Sequence, residues 1–133
     1  MKIAVFSTPG YDIHFLDTAN KQFHHQLLYL RDNLSRATAA LAAGCPAVCV
    51  FVDDISDDPT LSQLAEQGTR LIALRSAGFN NVDLPSAQKL NMTVARVPSY
   101  APDAIAEHAV ALMLTLNRNI HRATTVCAIE ILT

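Results

Sequence analysis

The sequence predicts an α/β protein built on a doubly wound, parallel, five-stranded sheet. Three observations carry this expectation. Short apolar runs alternate with longer helical patterns from residues 3–7 to residues 93–97, and such alternation argues for a parallel sheet with helical crossovers. The runs at 47–52 and 71–75 are apolar almost throughout rather than at every second residue, as expected of strands covered on both faces. Helix stop and start signals fall between the runs, at Gly44 and Pro46, at Pro59 and at Gly68.

The elements follow in order. Residues 3–7 form the first strand pattern, and residues 11–22 a helix with Phe15, Ala19 and Phe23 at helical spacing. A weaker strand spans 26–30, and an Ala-rich helix spans 35–43. Strand 47–52 precedes a helix opened by Asp58-Pro59-Thr60 and carried by Leu61, Leu64 and Ala65. Strand 71–75, helix 82–90 and strand 93–97 complete the set. Pro102 and Asp103 suit the start of a last helix. Its apolar residues run nearly all round, from Ile105 to Ile120, which marks a helix meant to be buried. Over residues 102–122 it would be about 30 Å long, an arm that packs on something outside the sheet domain. The tail from Thr124 is β-branched at Thr124-Thr125-Val126, which disfavours a helix, and reads as a detached strand.

Composition narrows the function. The 133 residues fit one domain with a modest core. A formal net charge of −2, from 10 Lys and Arg against 12 Asp and Glu, gives no basic footprint for nucleic acid. Cys45, Cys49 and Cys127 are an odd set without a zinc-like partner pair. Cys49 lies in an apolar run and reads as a buried thiol, and a reducing, cytoplasmic setting is expected. The first residues form a strand pattern rather than a signal peptide. The longest apolar segment, 109–116, is too short to span a bilayer.

In a doubly wound sheet, ligands bind beyond the carboxyl ends of the strands. That places the functional loops at Thr8-Pro9-Gly10, Asp53-Asp54, Ser76-Ala77-Gly78 and Pro98-Ser99-Tyr100. No glycine-rich dinucleotide motif, P-loop, nucleophile elbow or zinc-protease motif occurs. Glu107 and His108 are adjacent on a helix and do not face each other. The acidic stretch 53–58 reads as a solvated loop in which Asp57 or Asp58 caps the next helix, and no metal is expected. The sharpest candidate is "LRSAGFNNVD". There Ser76, Ala77 and Gly78 offer successive backbone N–H groups with almost no side chain, an arrangement that can cradle an anion. An ordinary strand-to-helix turn is the competing reading. Arg75 adds charge, unless it pairs with a nearby acid.

Three segments go beyond pattern. "LRSAGFNNVDL", "VARVPSYAPDAIAEHAVALMLTLNRNIHRA" and "MKIAVFSTPGYD" together resemble the NAD-dependent D-isomer-specific 2-hydroxyacid dehydrogenases, most nearly the bacterial fermentative D-lactate dehydrogenases. The resemblance runs over residues 1–123. It implies a flavodoxin-like fold, with a substrate domain at 1–100, an interdomain and dimerisation helix at 101–123 and a tail at 124–133 unlike the family. It implies that Ala77 and Gly78 bind the substrate carboxylate and that Tyr100 contacts the substrate. The complete family enzyme uses NAD to reduce pyruvate to D-lactate. Its nucleotide domain and its catalytic Arg, Glu and His have no counterpart here, so no catalytic residue is assigned. The chain alone is expected to be inactive and to bind no cofactor tightly, as a shortened product or fragment.

Two other readings stay open. The chain could act as a stand-alone module that binds a small acid or dimerises through helix 102–122. A receiver-like domain would use Asp53 or Asp54 as phosphate acceptor, but it would want a Lys after the fifth strand, where Pro98-Ser99-Tyr100 stands.

Overall fold

The computed structural model describes residues 1–132, with side chains as far as Val126. The chain divides into two compact units, Met1–Pro98 and Ser99–Thr133. The first contains strands β1 (Lys2–Val5), β2 (Gln26–Tyr29), β3 (Ala47–Val50), β4 (Leu71–Leu74) and β5 (Thr93–Ala95). They form one parallel sheet in the order β2-β1-β3-β4-β5. The five predicted strands are all present, each slightly shorter than its apolar run.

Helix α1 (Gly10–Asn20) links β1 to β2, α2 (Asp58–Glu66) links β3 to β4, and α3 (Leu84–Lys89) links β4 to β5. The first crossover steps one way along the sheet and the later ones step the other way. With right-handed connections, this puts α1 on the face opposite α2 and α3. The reversal between β1 and β3 is the switch point where such sheets open a crevice.

The two faces are not equally covered. Ala4, Phe6, Val48, Val50, Ile72 and Leu74 pack with Leu34, Leu61, Leu64 and Ala87 into one buried core. On the alternate face Val5 and Ala47 are buried, but Ile3, Cys49, Leu71 and Ala73 are only half-buried, and α1 buries none of its residues. Phe15 is 70% exposed. Full cover on both faces, expected from the apolar strands, is therefore met on one face and only in part on the other. The apolar runs did not reveal this because Cys49, Leu71 and Ala73 are apolar whether covered or not.

Local chemistry explains the helix ends. The Asp57 carboxylate caps α2 by accepting from the Thr60 N–H at 3.2 Å and its hydroxyl at 2.5 Å. Asp83 caps α3 in the same way through Ser86. Each helix has a proline in its first turn, where the missing N–H costs nothing. Gly44 and Gly68 both take left-handed φ, +73° and +98°, which serves their stop role. The helix expected at 35–43 is instead a set of turns closing in a 3₁₀ turn at Ala39–Ala42. The Thr38 hydroxyl accepts from the Ser35 N–H and donates to the Asn33 carbonyl, and such side-chain bonds compete with a helix.

The second unit holds α4 (Pro102–Asn117) and α5 (Ile120–Leu132). The single helix expected over 102–122 is broken after Asn117. Asn119 takes φ +53°, a left-handed conformation that asparagine tolerates, and its carbonyl then accepts from Arg122 and Ala123 to begin α5. The tail expected as a strand is helical. Thr124 and Thr125 each donate a hydroxyl to the carbonyl four residues back, a bond that lets β-branched residues sit in a helix. No residue of α4 is buried, so its apolar surface is open in this chain. The thiol of Cys127 lies outside the described side chains. Among the described residues, no helix is long and apolar enough to cross a membrane.

The one-sided core makes a simple expectation. Leu64→Ala should lower stability by about 2–5 kcal/mol, whereas Phe15→Ala on the open side should cost under about 0.5 kcal/mol. Urea unfolding of both variants measures the contrast.

Candidate functional site

The loops at the carboxyl edge of the first unit are tied together by one side chain. Asp54 is 1% exposed. One carboxylate oxygen accepts from the Ser7 hydroxyl and the Leu34 N–H, both at 2.6 Å, and the other from the Phe51 N–H at 2.5 Å. Its carbonyl accepts from the Asn81 side chain, which also donates to the Phe51 carbonyl. Asp54 thus joins the loops after β1, β2, β3 and β4. The solvated loop expected at 53–58 is solvated at Asp53 but not at Asp54, whose donors lie up to 47 residues away.

Arg75 is committed as well. It pairs with Asp12 and donates to the Phe6 and Ser7 carbonyls. Its guanidinium lies 5.1 Å from the Phe51 ring centroid, within cation–π range. Of the two readings, pairing with an acid is the one the structure gives. Beside it, burial pushes the Cys49 thiol pKa up, partly offset by Arg75.

The strand-to-helix loop 76–81 remains. The Ser76 carbonyl accepts from the Val97 N–H at 3.1 Å. The Ala77 carbonyl accepts from Arg96 Nη1 at 2.8 Å, and the Gly78 carbonyl from the Ser76 hydroxyl at 2.8 Å. Three successive carbonyls are therefore occupied. The N–H groups of Ala77 and Gly78 donate to no protein acceptor among the described residues. A row of such donors can receive an anion.

Gly78 itself carries information. Its φ is not left-handed, and a Cβ built there meets nothing within 4 Å. The turn does not require glycine, and without a Cβ the loop backbone stays accessible there.

Sequence reasoning placed Ala77 and Gly78 together, and they are adjacent on this loop. Tyr100 falls in the second unit, 74% exposed just ahead of α4. The sequence reading missed Arg96. A basic residue at the carboxyl end of the strand paired with β4 was the available signal. A larger cleft of about 540 Å³ lies between the loops after β1 and β3, lined by Thr8, Tyr11, Arg31, Phe51 and Asp53 among others. Neither Ala77 nor Gly78 lines it, and its charged lining residues are Asp12, Arg31 and Asp53. Among the described residues, no group of three or more acids, histidines or cysteines could hold a metal.

The family described as D-isomer specific 2-hydroxyacid dehydrogenase, catalytic domain, matches residues 3–131. The chain belongs to that family. It is 50% identical to the D-lactate dehydrogenase of Escherichia coli strain K12, over 92% of this chain and 37% of that protein. The apo structure of the Escherichia coli enzyme superposes with a TM-score of 0.83, covering 94% of this chain and 40% of that one. The pyruvate reductase of Chlamydomonas reinhardtii is 38% identical with a TM-score of 0.80, over 92% and 36% of the two chains. A D-lactate dehydrogenase with NAD⁺ from Lactobacillus jensenii is 36% identical with a TM-score of 0.71, over 90% and 37%. The chain spans little more than a third of the length of these relatives.

Some relatives in the family bind NAD. The residues present in this chain do not fit a dinucleotide. No strand among the described residues leads into a glycine-rich turn, and Asp12 occupies the first turn of α1, where a pyrophosphate would need positive potential.

Two expectations test this geometry. Asp54→Ala strands the Leu34 and Phe51 N–H groups, and each orphaned donor costs about 1–3 kcal/mol, so the urea midpoint should fall sharply. Gly78→Ala should leave stability unchanged or raise it by about 0.4–1 kcal/mol, by the same measurement.

Proposed function

We propose that the first unit is the substrate-binding part of a D-2-hydroxyacid dehydrogenase, and that Ala77 and Gly78 receive the carboxylate of a small 2-keto or 2-hydroxy acid. The observation that carries this is the pair of open N–H groups on a loop whose Ser76, Ala77 and Gly78 carbonyls are engaged. Two N–H donors fix a carboxylate by charge-assisted hydrogen bonds and set which face of the neighbouring carbon is presented. Tyr100 is assigned a further contact with the substrate. At the relatives' full length the reaction would be reduction of pyruvate to D-lactate with NADH. Membership of the family and 50% identity to a D-lactate dehydrogenase support this. Within this reading, residues 1–100 are the substrate domain and α4 leads towards a nucleotide domain. No residue of this chain is assigned to hydride or proton transfer. The free thiols of Cys45 and Cys49 suit a reducing cytoplasm.

Association is the second part of the proposal. Val110, Leu112, Met113, Leu114 and Leu116 of α4 are each more than half exposed. Covering one such side chain contributes roughly 1.5–3 kcal/mol, so a homodimer or another association through α4 is favoured over exposure.

Nuclear magnetic resonance tests the carboxylate site directly. Titration with pyruvate or oxamate should shift the amides of Ala77 and Gly78 with an affinity near the millimolar range, worth about 4 kcal/mol. The amide of Asp53 should stay still. Shifts clustered elsewhere, or reproduced by chloride, refute the assignment. The purified chain should show no pyruvate-dependent loss of NADH absorbance in a host lacking its own D-lactate dehydrogenase. Sedimentation should show association that weakens when Leu112 and Leu116 are both changed to Gln.

A further inference from the structure

We propose that Arg96 is the positioning residue of the 76–79 loop, fixing the direction in which the Gly78 N–H points. This rests on the carboxylate reading of the loop, which it deepens.

A peptide group is planar and trans, so the carbonyl of one residue and the N–H of the next point in opposite directions. Holding a carbonyl therefore aims the following N–H. The Ser76 carbonyl is held by the Val97 N–H, which aims the Ala77 N–H. The Ala77 carbonyl is held by Arg96 Nη1 at 2.8 Å, which aims the Gly78 N–H. The Gly78 carbonyl is held by the Ser76 hydroxyl at 2.8 Å. Of these three holds, only that of Arg96 comes from a side chain distant in sequence, 19 residues from Ala77.

The hold matters most at this peptide. Gly78 has no Cβ, is exposed, and has nothing within 4 Å of where a Cβ would stand. Glycine accepts both signs of φ with little penalty. A free Ala77–Gly78 peptide could rotate and present its carbonyl in place of its N–H, and a carbonyl repels a carboxylate. Arg96 opposes this in two ways. Its Nη1 engages the Ala77 carbonyl and reaches the Pro98 carbonyl at 3.4 Å. Its guanidinium also lies 5.1 Å from the Phe79 ring centroid, gripping the residue just after the glycine. A planar fork can stack and donate at once, whereas an ammonium cannot reproduce both. With Nη1 on the Ala77 carbonyl, Arg96 acts on the ligand through the loop, and the charge-keeping Arg96→Lys variant separates this role from direct attraction.

The test uses the 133-residue chain with Arg96→Lys and Arg96→Met, followed by amide spectra with and without oxamate at constant ionic strength. Without ligand, the Gly78 amide should shift or broaden in both variants, while amides of β1 and β3 stay in place. Oxamate affinity should fall about 2- to 10-fold in Arg96→Lys, although the charge is kept, and at least as far in Arg96→Met. If Arg96→Lys binds as tightly as the parent, charge alone suffices and the positioning role is wrong. A Gly78 amide unmoved in Arg96→Met also overturns it. If the parent itself shows no oxamate response at Ala77 and Gly78, the carboxylate reading fails, and the ligand-free spectra still decide the role of Arg96. Should either variant lose its β1 and β3 amides, Phe79→Leu removes the stack alone. It must then perturb the Gly78 amide, and an unperturbed amide counts against the proposal.

Discussion

The carboxyl edge of the sheet depends on one buried carboxylate. Asp54 accepts three hydrogen bonds through its two oxygens, from the loops after β1 and β2 and from its own loop after β3. Two of the donors are backbone N–H groups, which could not be buried without such an acceptor. A carboxylate buried without donors would be costly, so donor and acceptor are mutually dependent. Through Asn81 the same residue also anchors the loop that carries Ala77 and Gly78. The geometry proposed for substrate binding is therefore set from beneath by a residue that never faces the ligand.

Hydrogen bonding at this edge divides into two layers. Below, Asp54 and Arg75 spend their charge on backbone groups and on Asp12. Above, Ser76, Arg96 and Val97 occupy the carbonyls of the open loop. The N–H groups of Ala77 and Gly78 have no protein acceptor among the described residues. A loop whose acceptors are engaged can favour an anion through its N–H groups, here with the Arg96 guanidinium beside them.

Much of the fold was legible in the sequence. The five strands announced themselves as apolar runs, and Asp57-Asp58-Pro59 marked one helix start by capping chemistry. The helix expected at 35–43 failed because its Ala residues have helix propensity but Thr38 had better local partners. The break at Asn119 and the helical tail were misjudged for a related reason, since a single left-handed residue and two hydroxyl back-bonds outweighed the apolar pattern and β-branching. At the site, the bare backbone of Ala77-Gly78 was visible from composition. The contacts of Asp54 with Ser7 and Leu34 and of Arg96 with Ala77 were not, because they span 19 to 47 residues, and no local pattern encodes a contact at that range.

The uneven cover of the sheet has a calorimetric consequence. Heat capacity on unfolding follows the apolar surface newly exposed to water, typically about 12–15 cal/mol/K per residue. In the first unit Ile3, Cys49, Leu71 and Ala73 are already partly wetted, and the aromatic side chains of α1 are largely so. Less surface therefore remains to be hydrated when the chain opens. Its free-energy curve against temperature should be shallow, with small curvature, a broad melting transition and little tendency to lose stability on cooling.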